Sequence, residues 1–95
     1  FSNGKVAGAG FELYQNQPNP FKGETVIGFN LPEAAAATIT VSDVTGKVLK
    51  LYRIDGSKGY NQLSVKSSDL AATGVLSYTV ETGDYTATKK MVVIE

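Results

Sequence analysis

Catalytic chemistry has few side chains to draw on in this chain. Histidine and cysteine are both missing from its 95 residues. That excludes serine and cysteine triads of the usual kind, thiolate or imidazole metal sites, disulfides and imidazole acid/base catalysis. Carboxylates remain at Glu12, Glu24, Glu33, Asp43, Asp55, Asp69, Glu81, Asp84 and Glu95. Nearly all fall in turns or at strand ends, where a solvated charge is the ordinary state. A calcium loop needs Asp or Asn at alternate positions, then Gly, then a later Glu. Asp43-Val44-Thr45-Gly46 offers one such ligand and reads as a turn. The expectation is a protein that is not an enzyme and holds no cofactor and no metal.

The groups left for binding are of three kinds. In Pro18-Asn19-Pro20-Phe21 both prolines fix φ and lack a backbone donor, and the residue before each is pushed into the extended region. The motif is a stiff corner, with Phe21 tucked into the end of the domain, or a docking surface, or both. Lys89-Lys90-Met91-Val92-Val93-Ile94-Glu95 ends in a continuous apolar run, the mark of a strand that closes a sheet and packs on one or both faces. A terminal strand can also pair with a receptor. Five tyrosines, at 14, 52, 60, 78 and 85, leave room for sugar stacking. The simpler reading has most of them covering sandwich edges, ring buried and hydroxyl wet. Nine basic and nine acidic residues cancel without long like-charge runs, so neither nucleic acid nor a charged membrane surface is an expected partner. No apolar stretch approaches the ~20 residues that span a bilayer, so membrane insertion is not expected.

These groups need elements to position them. Residues 1–10 are Gly- and Ala-rich and read as a flexible linker remnant. The chain starts without Met, as expected of a piece cut from a larger protein. From Phe11 onward, short β-branched and aromatic runs alternate with Gly, Pro, Asn, Asp and Ser clusters. Thr25, Ile27, Phe29 and Leu31 share one face of a strand, and Ala37, Ile39 and Val41 share one face of another. Within Lys47 to Ile54 apolar residues lie on both faces, Val48, Tyr52 and Ile54 against Leu49 and Leu51, which suggests a more central strand. Glycines in Asp43–Lys47, Asp55–Gly59 and Glu81–Asp84 are expected to supply positive φ for tight turns. The nearest helix candidate, Pro32 to Ala37, is long enough for one turn at most. Strands are predicted at 12–15, 25–31, 37–43, 48–54, 62–65, 75–81 and 87–94. The fold class is therefore all-β, a seven-stranded antiparallel immunoglobulin-like β-sandwich over 11–95.

Several motifs occur in one order: Leu13-Tyr14-Gln15-Asn16-Gln17-Pro18-Asn19-Pro20-Phe21, Ile27-Gly28-Phe29-Asn30-Leu31-Pro32, Val41-Ser42-Asp43-Val44-Thr45-Gly46-Lys47-Val48, Gly74-Val75-Leu76-Ser77-Tyr78 and the terminal run from Lys89 to Glu95. Together they closely resemble the type A C-terminal sorting domain of the type IX secretion system in Bacteroidetes. The resemblance implies a secretion and sorting signal that directs a larger N-terminal cargo in cis to the cell surface. Its implied partners are the outer-membrane type IX translocon and a sortase-like cysteine peptidase. The peptidase would cut among Lys5, Val6, Ala7, Gly8, Ala9 and Gly10. The recognition residues it implies are Pro18, Asn19, Pro20, Phe21, Gly46, Gly74, Lys89, Lys90, Met91, Val92, Val93, Ile94 and Glu95. Two positions depart from the family pattern: Leu76 where a tyrosine is common, and Glu95 where a basic residue often ends the chain. The alternative reading is a carbohydrate- or protein-binding accessory β-sandwich module retained on a secreted enzyme.

Overall fold

Alternation along Glu24–Leu31 sets the inner face of the molecule. The computed structural model describes residues 10–94. In chain order these form β1 (Glu12–Leu13), β2 (Glu24–Leu31), β3 (Ala35–Ser42), β4 (Val48–Gly56), β5 (Gly59–Lys66), α1 (Ser67–Leu70), β6 (Gly74–Glu81) and β7 (Thr86–Val93). The strands make a three-stranded sheet, β1-β2-β5, and a four-stranded sheet, β4-β3-β6-β7, with every pairing antiparallel. This is the seven-stranded all-β sandwich that the sequence predicts. Its order departs from the constant-type immunoglobulin arrangement, in which the fourth strand lies beside the fifth. Here β4 pairs with β3 instead.

Thr25, Ile27, Phe29 and Leu31 are each 1% exposed or less. Ile27, Phe29 and Leu31 meet Ala37, Ile39 and Val41 of β3, Leu76, Tyr78 and Val80 of β6, and Met91 and Val93 of β7 in one apolar cluster. Burying such side chains is the main favourable term for a domain this small.

Three expectations are corrected. The alanine run is not helical, because Ala35, Ala36 and Ala37 pair with Gly56, Asp55 and Ile54 across β3 and β4, and strand pairing overrides alanine's helix propensity. Among the described residues the helix is instead Ser67–Leu70, which buries Leu70 and ends at Ala71 in the left-handed conformation. Second, β4 is an edge strand, not a central one. A bulge opposite Val41 and Ser42 resets its alternation, so Leu49, Tyr52 and Ile54 pack against the core while Val48 and Leu51 face outward. Third, Gly83 does not have positive φ. Its turn is held by the Thr82 hydroxyl, which accepts the Asp84 and Tyr85 N–H groups at 3.3 and 3.1 Å. Of the five tyrosines, Tyr78 is buried and Tyr52 and Tyr85 are half-buried, whereas Tyr14 and Tyr60 are exposed.

Candidate functional site

The segment after β1 straddles the two sheets. Tyr14 donates its N–H to the Gly28 carbonyl, and Gln17 exchanges backbone hydrogen bonds with Val26 at 3.0 and 2.9 Å, so the chain still follows β2. Pro18 and Pro20 then supply no N–H, and pairing with β2 stops. The Gln17-Pro18 and Asn19-Pro20 peptide bonds are both cis. Beyond them the chain joins the far edge of β7. Phe21 donates to the Val92 carbonyl and Ile94 donates to the Phe21 carbonyl, each at 2.9 Å. The Asn19 side-chain oxygen accepts the Val92 N–H at 2.9 Å across 73 positions of sequence. Gln15 reaches the Lys90 carbonyl at 2.6 Å. The Pro-Asn-Pro-Phe corner and the C-terminal run are therefore one continuous surface.

A buried polar cluster fixes this corner from beneath. Asn16, 1% exposed, donates its N–H to the Tyr78 hydroxyl at 2.9 Å and its amide to the Pro18 carbonyl and the Thr25 hydroxyl at 3.1 and 3.0 Å. Tyr78 in turn donates to the Tyr14 carbonyl at 2.8 Å. Burial raises the Tyr78 pKa, partly offset by the Asn16 hydrogen bond. The buried groups are thus paired, as a polar cluster inside a core requires.

The sequence-predicted residues divide by exposure. Phe21, Met91 and Val93 belong to the core, whereas Pro18, Asn19, Pro20, Lys90 and Ile94 face outward, with Lys89 and Val92 half-buried. Gly46 lies in the β3–β4 turn with φ +91°, and Gly74 begins β6 opposite Val93 with φ +94°. A 310 Å³ hollow lined by Asp43, Val44, Gly46, Val75, Leu76, Ser77 and Lys90 brings the turn and the terminal strand to the same end of the sandwich. Asp43 organises that turn, its carboxylate accepting from Thr45 N–H, Thr45 hydroxyl and Lys47 N–H. The Thr45 side-chain hydrogen bond, more than any other influence, holds the Asp43 pKa below its ordinary value. Lys5, Val6, Ala7, Gly8, Ala9 and Glu95 lie outside the described residues. Gly10 does not, and its carbonyl accepts the Asn30 amide at 2.6 Å. Gln15, Asn16 and Thr25 are the structural contributors missing from the sequence-based set. Asn16 beside a proline motif was their one legible signal.

Among the described residues, no three His, Cys, Asp or Glu side chains converge where a metal ion could sit. The model of the family described as "Secretion system C-terminal sorting domain" matches residues 16–94. The chain belongs to this family. It is a C-terminal sorting signal for type IX secretion, from a family that is not catalytic, and so it interacts with that machinery and with a cargo domain in cis. The matched span runs from Asn16, the buried anchor of the corner, to Ile94, the last residue hydrogen-bonded to it. No curated protein matches the sorting domain. Among solved structures, one similar chain is the sulfur carrier protein SoxY from Chlorobium limicola f thiosulfatophilum. It is 14% identical with a TM-score of 0.49, covering 98% of this chain and 87% of that one. No helix among the described residues is long and apolar enough to cross a membrane.

Proposed function

We propose that the outer-membrane type IX translocon reads the joined face made by Pro18, Asn19, Pro20, Lys90 and Ile94, and reads it on the folded domain. The observation carrying this reading is the set of hydrogen bonds that join Asn19 and Phe21 with Val92 and Ile94, which makes two remote motifs one epitope. A strand that peeled away to pair with a receptor would break its bonds to β6 and to the corner, and would expose Met91 and Val93. Recognition in place avoids that cost.

After export, a sortase-like cysteine peptidase cuts in the linker of residues 1–10, among Lys5 to Gly10, and leaves the cargo at the cell surface. Gly10, at the downstream limit of that stretch, is fastened to Asn30 through its carbonyl. Mass spectrometry of a reporter exported on this domain tests the cut. Its C terminus is expected between Lys5 and Gly10, and a reporter still carrying Glu95 at the surface overturns the removal.

A further inference from the structure

The outer face of the three-stranded sheet carries a groove whose lining includes none of the residues proposed above for recognition. Tyr14 follows β1 and lies opposite Gly28, whose neighbour in β5 is Gln62. One row away Asn30 faces Tyr60. Tyr14, Gly28, Tyr60 and Gln62, with Gln15, Gln17 and Val26, line an open groove of 530 Å³, within the range of small-molecule sites. Tyr14 and Tyr60 are 36% and 57% exposed, and their rings stand 5.9 Å apart at 46°. Their shared floor is Gly28. A Cβ at that position would come within 2.8 Å of the Tyr60 ring atoms Cε1 and Cζ, so a side chain there would lift the ring off the sheet.

We propose that this groove binds a neutral oligosaccharide. Two adjacent aromatic rings offer apolar faces to the C–H surface of a sugar ring. The amides of Gln17 and Gln62 offer donors and acceptors, and Gln15, whose N–H groups are held by Asn16 and Lys90, adds its side-chain oxygen as an acceptor, so the groove can pair with hydroxyl groups in both senses. None of the groove's lining residues carries a formal charge, which disfavours nucleic acid, phosphate or uronic acid as the occupant. A proline-rich peptide could use the rings and accept from the amide N–H groups, but, having few donors, it would leave the glutamine oxygens unmatched. Gln15 also bonds Lys90, so the groove adjoins the sorting face without overlapping its exposed residues.

The test is chemical-shift mapping of the 95-residue chain titrated with neutral β-1,4-glucan, α-glucan and mannan hexasaccharides, and with a proline decapeptide, each to about 10 mM, where weak binding is visible. Saturable shifts at Tyr14, Gly28, Tyr60 and Gln62 are expected for at least one sugar. Tyr60→Ala is expected to weaken binding about tenfold, the worth of a ring contact, and Tyr60→Phe, which keeps the ring, to weaken it far less. Gly28→Ala should weaken it with unchanged circular dichroism; where Gly28→Ala unfolds, the two Tyr60 variants decide. Absence of saturation with every sugar, saturation only with the peptide, or shifts centred on Asp43 and Val75 overturns the proposal.

Discussion

Two tyrosines in this sandwich have opposite prospects when the hydroxyl is removed. Tyr78 is fully buried and pairs with Asn16 N–H and the Tyr14 carbonyl, so Tyr78→Phe leaves both without a partner. A loss of about 1–3 kcal/mol is expected. Tyr52 has its hydroxyl buried with no partner, and burial, with Asp69 as a lesser influence, raises its pKa. Tyr52→Phe is expected to leave stability unchanged or to raise it by up to about 1 kcal/mol. Urea unfolding of both variants checks the pair, and equal losses would show the hydroxyl environments to be misassigned. The burial of Tyr78 was legible from its alternation with Leu76 and Val80. Its hydrogen bonds were not, because contacts across 62 and 64 positions leave no trace in local pattern. The exposure of Tyr14 and Tyr60 escaped for a related reason. Whether a strand's outer face is covered depends on its neighbours, and here the nearest neighbour is the bare backbone of Gly28.

At the scale of elements, the Asp43–Lys47 turn is both the most legible feature and the most exposed to test. Gly46 holds φ +91° with no atom within 4 Å of a would-be Cβ, so the obstacle to a side chain is backbone conformation alone. Gly46→Val is expected to cost about 1–3 kcal/mol, read as a lowered melting temperature. The turn also carries a pH signature. Hydrogen bonds, that from the Thr45 hydroxyl foremost, lower the Asp43 pKa from its ordinary 3.8, so the ionised form is favoured by folding. Its contribution is complete above the ordinary value and fades as pH falls through the lowered one. The stability difference between the wild type and Asp43→Asn is therefore expected to shrink below about pH 4; a difference that stays constant to lower pH contradicts this. Strands β2, β3 and β6 could be read from alternation because each has one buried face, and β7 from its continuous apolar run. The edge position of β4 could not, since a bulge shifts which residues point inward, and α1 is too short to show a period.

For the whole molecule, the organising fact is that a chain segment near the start and the last strand share one edge. Pro18 and Pro20 end pairing with β2, and Asn19 and Phe21 take up the hydrogen-bonding groups of Val92 and Ile94 that an edge strand would leave open. Both motifs were visible in the sequence as separate candidates. Their union was not, because it depends on the topology that sets β7 at the sheet edge. The union also decides how the signal is best tested. Truncating Met91 to Glu95 removes two core side chains, Met91 and Val93, and confuses loss of signal with loss of fold. Lys90 and Ile94 are exposed, so Lys90→Glu with Ile94→Asp alters the face and spares the core. The most direct measurement is surface delivery of a reporter fused to this double variant, with circular dichroism to establish that the domain is folded. The expected result is a folded domain whose reporter stays in the periplasm. Delivery equal to the wild type, with the domain folded, would contradict the account.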